Sequence, residues 1–445
     1  KNCISNSNSN FYKCKICKKK LDSLIKISDS KKIEIDYYST EDFYFPINVS
    51  NYDELKCLTY KDINIGRGIH AAAMTILKDH NYNVNENINV INKIAFTSKK
   101  TIDYLFSYFD KGIKKIYVFN GRVSHYNAIV EFAKLKGIKY FTFEAAGIKN
   151  KYFLVEDDII HNKKKYVDYI SSNWIQSGDL KKHKIGKSFF EKNLTRSHSD
   201  DYLTPMFTEY QNAGFLPSSI KGKNFIVFFG SSRNESESIE GWKNNFMSGD
   251  DEQIVEEICV RMPKINFVYR AHPNLKLEHN TQTQNIKKLQ NIKNLTLIDS
   301  HSKVSSYELL RKSDKVIVFG STIGVESNYF RKPTICLGPS IYENLNIAYK
   351  PKNFEELKCL IQDPNLKPLS YLDSIKYGYF ELTKGKSLSS NSLGISLELN
   401  LLDRVTIFIS KFFKLSLMVF NKKYRLKDLI NDPRIKRQLL DFLKV

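Results

Sequence analysis

The strongest constraint on this chain is a series of short, almost wholly apolar runs in its second half, each set off from the next by a helical pattern. NFIVFFG (224–230), INFVYRAHP (265–273), LTLIDS (295–300), KVIVFGS (315–321) and PTICLG (333–338) have the length of single strands. Between them lie stretches with apolar residues at helical spacing, such as DEQIVEEICVRM (251–262) and SSYELLRKS (305–313). Strands without polar alternation are buried on both faces. The pattern therefore predicts a parallel sheet with helices on either side, a doubly wound α/β domain.

The first half carries a second unit of the same kind. KKIYVFNGR (114–122) predicts a buried strand entering a glycine turn, VSHYNAIVEFAKLKG (123–137) a helix ending at Gly137, and IKYFTFEAAG (138–147) the next strand. Strand, helix and strand with short connections make a βαβ unit. A polar, helix-like segment follows to about residue 215, and LPSSIKGK (216–223) has the composition of a linker. The expected organisation is a polar, cysteine-containing segment (1–60), a Rossmann-like domain (61–215), the linker (216–223), a second Rossmann-like domain (224–365), a crossover (366–389) and a basic helical tail (390–445). With 445 residues there is length for two such cores. Two doubly wound domains joined in this way enclose a cleft at the carboxyl ends of their strands, where a ligand belongs.

A net charge of +21 invites a nucleic-acid reading. Lys outnumbers Arg several-fold, however, and Asn and Ile are abundant, as in an AT-rich genome. No helix-turn-helix, zinc-finger or aromatic RNA-binding signature accompanies the charge, so nucleic acid is not the expected partner. The same charge would suit anionic lipid headgroups. No run reaches the ~20 apolar residues that span a bilayer. No secretory signal is legible at the start, and Lys1 in place of Met leaves room for residues upstream. The tail LDRVTIFISKFFKLSLMVFNKKYRLKDLI (402–430) mixes aromatic, aliphatic and basic residues at roughly helical spacing. It suits either a membrane interface or a helix packed back on the first domain.

Cys57, Cys259, Cys336 and Cys359 sit singly among apolar neighbours and read as small core residues of a reducing compartment. Cys14 and Cys17 form a CxxC pair with Cys3 upstream, which reads either as surface thiols or as part of a structural zinc site.

Polar residues gather where strands end. In YRAHPN (269–274), Arg270 and His272 are two apart and would face the same side, with Pro273 stopping the strand. A cation and an imidazole there suit a phosphate. FGSTIGVES (319–327) follows another strand and opens a helix; Ser321 and Thr322 offer hydroxyls beside free amides, and Glu326 could accept from ribose hydroxyls. In FFGSSRNESE (228–237), Ser231 and Ser232 could cradle a phosphate or sugar, or Ser231 could cap a helix. In the first domain, Asn120, Arg122 and His125 surround a glycine turn, and Glu144 stands next to small residues that let a substrate approach. Glu144 could be a general base or a solvated turn residue; Arg122 could take a carboxylate or only cap its turn.

Together, VFNGR, FEAAG, FFGSSRNE, RAHPN, SYELLRKSD, VFGSTIGVES and RKPTICLG make residues 100–385 resemble the GT-B glycosyltransferases of bacterial capsule and surface-polysaccharide synthesis, whose Kdo and sialic-acid transferases carry acidic-x-Gly and His-Pro motifs. The resemblance implies a GT-B fold with the donor nucleotide on the second domain. His272 would be a phosphate ligand assisted by Ser321 and Thr322, Glu326 a ribose ligand, and Glu144 the catalytic base. Two alanines separate Glu144 from Gly147, a departure from the tightest family pattern. SIKYGYFELTKG (374–385) resembles the crossover returning to the first domain. The group generally uses no bound metal, and no DxD pair stands at a strand end; Asp157-Asp158 adjoin a weak strand signal. The expectation is a metal-independent enzyme with no cofactor. Its donor would be a nucleotide sugar (CMP-Kdo or a similar acidic sugar first, a UDP- or GDP-sugar second) and its acceptor a lipid-linked glycan at the inner face of the cytoplasmic membrane. A nucleotide-sugar epimerase and a non-catalytic glycan-binding subunit share the architecture.

Overall fold

The computed structural model describes residues 45–110, 112–148, 151–195, 211–242 and 246–387. Cys3, Cys14, Cys17 and the tail 390–445 lie outside them. The amino-terminal half begins with α1 (Tyr52–Lys56), a short hairpin of β1 (Thr59–Tyr60) and β2 (Ile63–Asn64), α2 (Gly66–Leu77) and α3 (Ile88–Phe109). Then come β3 (Lys115–Phe119), α4 (Ser124–Leu135), β4 (Lys139–Ala145), β5 (Lys151–Glu156), α5 (Lys163–Gln176) and α6 (Lys182–Thr195). The βαβ unit is where the periodicity places it: β3 and β4 are parallel, and Val130, Phe132 and Ala133 of α4 are buried in one core with Val118 and Tyr140.

The first sheet then departs from the doubly wound pattern. β5 runs antiparallel to β4, pairing Glu144 with Phe153. Only a handful of residues separate β4 from β5, whereas a parallel return needs a dozen or more. The polarity of Lys151 and Glu156 hides this strand from a search for apolar runs.

The carboxyl-terminal half matches its reading closely. It contains β6 (Ile226–Phe229), α7 (Asp251–Arg261), β7 (Phe267–Arg270), α8 (Thr281–Lys288), β8 (Leu295–Ile298), α9 (Ser306–Lys312), β9 (Lys315–Val318), α10 (Ile323–Tyr329), β10 (Thr334–Cys336) and α11 (Phe354–Gln362). All five strands are parallel, in the order β10-β9-β6-β7-β8. Every residue of β6, β7 and β9 is buried, the burial that near-continuous apolar runs demand. The strand order reverses between β6 and β9, so the crevice forms at the loops that follow them.

The chain finally returns to the first domain. α12 (Tyr371–Thr383) lies against α6, and β11 (Lys386–Ser387) pairs antiparallel with β5. The helices approach closely because Gly186 and Gly378 meet: a Cβ on Gly378 would come within 2.4 Å of the Gly186 carbonyl oxygen. One apolar cluster draws on both halves, with Phe153, Ile170 and Phe190 from the first and Val325, Tyr342 and Ile347 from the second. The fold is α/β, with two layered domains across a cleft. Cys259 and Cys336 are buried as expected, but Cys57 and Cys359 are exposed. Cys57 caps the end of α1 and Cys359 faces outward on α11, distinctions of side that apolar neighbours in sequence do not reveal.

Candidate functional site

The site is assembled from strand ends on both walls of the cleft. On the second domain, the turn after β9 holds Gly320 at φ +99°, where a Cβ would lie 2.1 Å from the Pro339 carbonyl oxygen. Only glycine fits there. Tyr342 donates to the Ser321 carbonyl at 2.8 Å and fixes the turn. Ser321 is half-buried and Thr322 exposed at the start of α10, where the Thr322 side chain does not cap the helix.

His272 lies two residues beyond the end of β7 and opens a 3-10 turn, Pro273–Leu277. Its Nδ1 accepts the Asn274 amide at 3.1 Å, so the neutral ring carries its proton on Nε2. Burial, assisted by the Arg270 charge, pulls the imidazole down to about 4. His272 is therefore a neutral donor near pH 7. Its ring resonances should not titrate between pH 5 and 8 by NMR; a midpoint near the ordinary value of about 6.5 would contradict this.

Arg270 is engaged with backbone carbonyls. It is 1% exposed, and its guanidinium donates to the carbonyls of Asp299 and of Ser302, the latter at 3.2 Å. β7 ends at Arg270, so strand alternation does not extend to His272. Arg270 ties down the loop after β8.

Ser231 and Ser232 are also engaged. Ser231 Oγ donates to Asp251 at 3.1 Å, and Ser232 Oγ to Asn234 Oδ1 at 2.7 Å, which shapes the loop and leaves neither as a ready phosphate cradle. Glu326 accepts from Tyr307 of α9 and from Asn193 of α6. A carboxylate in the first turn of α10 thus reaches sideways to neighbouring helices, and one of its oxygens is taken before any ribose arrives. Burial pushes this carboxyl up to about 7.

On the first domain, Asn120 (φ +61°) and Gly121 (φ +77°) make a left-handed turn after β3. Asn120 Nδ2 donates to Glu144 Oε1, and Asn120 Oδ1 accepts the Arg122 amide at 3.0 Å. Such conformations are costly for a non-glycine residue and concentrate at functional sites. Here the Asn120 side chain, bonded on both ends, offsets part of that cost. Burial lowers the Arg122 guanidinium, which the neighbouring acids Glu144 and Glu235 oppose; it stays charged. Its Nη1 crosses the cleft to Ser238 Oγ at 2.9 Å, and its Nε has no partner among the described residues. His125 sits in the first turn of α4, its ring centroid 4.0 Å from that of Tyr126.

The loop after β6 closes the gap. Glu235 accepts from Asn274 Nδ2 at 2.9 Å; Glu240 pairs with Arg67 at 2.8 Å, and Trp242 donates to the His161 carbonyl at 3.0 Å. The result is a polar path from Glu144 and Arg122 through Glu235 and Asn274 to His272. Sequence reading did not single out Asn274, Ser238 or His161. His161 follows β5, the strand hidden by its polar ends; burial lowers its imidazole, with Glu144 and Arg122 acting in opposite senses. Among the described residues, no group of three His, Cys, Asp or Glu side chains is placed to hold a metal ion.

Residues 243–356 match the family model described as "Capsule polysaccharide biosynthesis protein", a stretch that includes His272, Ser321, Thr322 and Glu326. No curated protein matches the chain. Among solved structures it is similar to the beta Kdo 2,4 transferase of Thermosulfurimonas dismutans KpsC, at 12% identity and a TM-score of 0.39, covering 66% of this chain and 94% of that one. The beta Kdo 2,7 transferase of the same protein is matched at 15% identity and a TM-score of 0.39, over 62% and 80% of the two chains. UDP-GlcNAc 2-epimerase of Methanocaldococcus jannaschii is matched at 14% identity and a TM-score of 0.28, over 65% and 80%.

Proposed function

We propose that this protein is a glycosyltransferase of capsule or related surface-polysaccharide synthesis, moving a sugar from a nucleotide donor on the second domain to a glycan hydroxyl on the first. The observation that carries the reading is the polar path across the cleft, with a carboxylate on the acceptor wall and a neutral imidazole donor on the nucleotide wall. The family match over residues 243–356 supports the pathway. His272 Nε2 would donate to a phosphate oxygen, with the Ser321 and Thr322 hydroxyls beside it. Glu326 would contact the ribose in exchange for one of its present bonds, to Tyr307 or to Asn193. Arg122 stands between the walls, and a fixed guanidinium of this kind suits the carboxylate of an acidic sugar such as Kdo. That favours a CMP-activated donor over UDP or GDP. Glu144 would take the proton of the attacking hydroxyl. A lipid-linked acceptor and peripheral contact with the inner face of the cytoplasmic membrane complete the reading; no helix among the described residues is long and apolar enough to cross a membrane.

Calorimetry with CMP, UDP and GDP tests the donor assignment. CMP should bind best, and His272→Ala should weaken it by about 1.5–3 kcal/mol, the range for a hydrogen bond to a charged group. Unchanged affinity in that variant would remove His272 from the site. Tighter binding of UDP, with interconversion of a UDP-sugar and no transfer, would move the protein to the epimerases.

A further inference from the structure

The four-stranded sheet of the first domain is covered on one side only by the described residues. On its inner face Val118, Tyr140, Thr142 and Val155 are each less than 5% exposed. On its outer face Tyr117 is 59% and Phe119 45% exposed, although both lie on strands that pack normally on the other side. These rings extend into a continuous surface. Tyr117 pairs with Phe141 across β3 and β4 and stacks on it, with centroids 4.9 Å apart and planes at 12°. Phe119 pairs with Phe143, which in turn pairs with Leu154 of β5, and Ala145 pairs with Tyr152. A contiguous aromatic surface on a partly parallel sheet is a face that normally carries a covering layer.

The path of the chain indicates what the layer is. β11 is a strand of this same sheet, pairing Lys386 with Tyr152 and Ser387 with Lys151. At least 58 residues follow Ser387, from 388 to 445. The first of them, 388–401, are mostly Ser, Leu, Gly and Asn, and can reach roughly 46 Å when extended. The whole sheet is only about 15 Å wide across its strands. Next come Val405, Phe408, Ile409, Phe412, Leu415 and Val419, recurring at helical spacing as one apolar stripe.

We propose that residues 405–420 of this chain dock on the bare aromatic face formed by Tyr117, Phe119, Phe141, Phe143 and Leu154, supplying the second layer of the first domain. The match is one of length, position and polarity. The chain leaves the described residues from the sheet that lacks a cover and then presents an apolar stripe long enough to span it. This inference is independent of the reaction assigned to the cleft.

The test uses the full chain. p-Benzoyl-phenylalanine incorporated in place of Tyr117 should, on illumination, cross-link within one molecule to residues 405–420, as read by mass spectrometry. Links between molecules, links to added anionic phosphatidylglycerol vesicles, or links falling outside that segment would overturn the proposal in favour of a second copy, a bilayer or another part of the chain. Limited proteolysis gives a second reading. Tyr117→Ser combined with Phe119→Ser should speed cleavage within 405–420 about tenfold or more, because docking then opens more often, while cleavage within the second domain stays within about twofold. Cleavage at the same rate in both proteins would also overturn it.

Discussion

Glu144→Gln should reduce sugar transfer by about 10²–10⁴-fold while leaving donor affinity near that of the parent protein. The substitution keeps the shape and removes the basicity. It also keeps an oxygen that can accept from Asn120, so the left-handed turn at Asn120 and Gly121 should survive. The donor side is untouched because Glu144 lies on β4 of the opposite domain, and its link to the nucleotide wall runs through Arg122. Steady-state kinetics separate the possibilities. A fall in kcat with unchanged CMP affinity identifies a group acting in proton transfer. Normal turnover removes Glu144 from the chemistry and turns attention to Glu235. Loss of donor binding as well would mean that the residue shapes the pocket or touches the sugar. Ala145 completes β4 and the turn follows Ala146, so Glu144 is the penultimate residue of the strand.

Arg233→Met should destabilise the protein by about 3–5 kcal/mol, the cost of leaving buried charge without its partner. Arg233 is buried behind the loop after β6, where it donates to Asp250 and, at 3.0 Å, to Glu237. Asp251 and Glu252 are buried next to it, and Glu252 accepts from Gln282 at 3.0 Å. Met fills a similar volume, so the loss would come from the charge rather than from a cavity. Urea unfolding measures it; a change below about 1 kcal/mol would place the pair among solvated ones.

The same cluster makes stability depend on pH in two opposed ways. Asp250 is held well below the ordinary carboxylate range by His80, whose Nε2 is 3.6 Å away, and by Arg233. Its contribution is present above the unfolded value of 3.8 and is lost as pH falls through the folded value. Burial pushes Asp251 up to about 7. Its contribution is fully present below 3.8 and declines as pH rises towards 7. Asp251→Asn should therefore flatten the decline between pH 4 and 7, and leave the acid loss due to Asp250 in place.

Much of this architecture was legible in the sequence, for specific reasons. An apolar run such as IVFF or KVIV is uniformly buried, so its composition reports directly on both faces of a central strand. The helical pattern of α4 and its stop at Gly137, where φ is +62°, are likewise local. β5 gave only a weak signal because its ends are charged; the shortness of its turn, not its composition, dictates its antiparallel direction. The buried strand expected of KKIYVFNGR is buried on one face only: Val118 is covered, whereas Tyr117 and Phe119 are exposed, because an apolar run does not show whether a second layer covers its outer face.

For the site, the sequence by itself determined where polar residues could emerge: at the carboxyl ends of β3, β4, β7 and β9, beside glycines and a proline that stop those strands. Those positions follow from short-range sterics, which need only the neighbouring residues. Which of those side chains face the cleft was decided by the tertiary structure alone. Arg270 turns to the carbonyls of Asp299 and Ser302, Ser231 to Asp251 and Glu326 to Tyr307, while Arg122 reaches Ser238 across the cleft. A polar group leaving water must find a partner, and in these cases the partner comes from another loop or helix. Sequence spacing locates the donors and acceptors; only packing brings their partners within hydrogen-bonding distance.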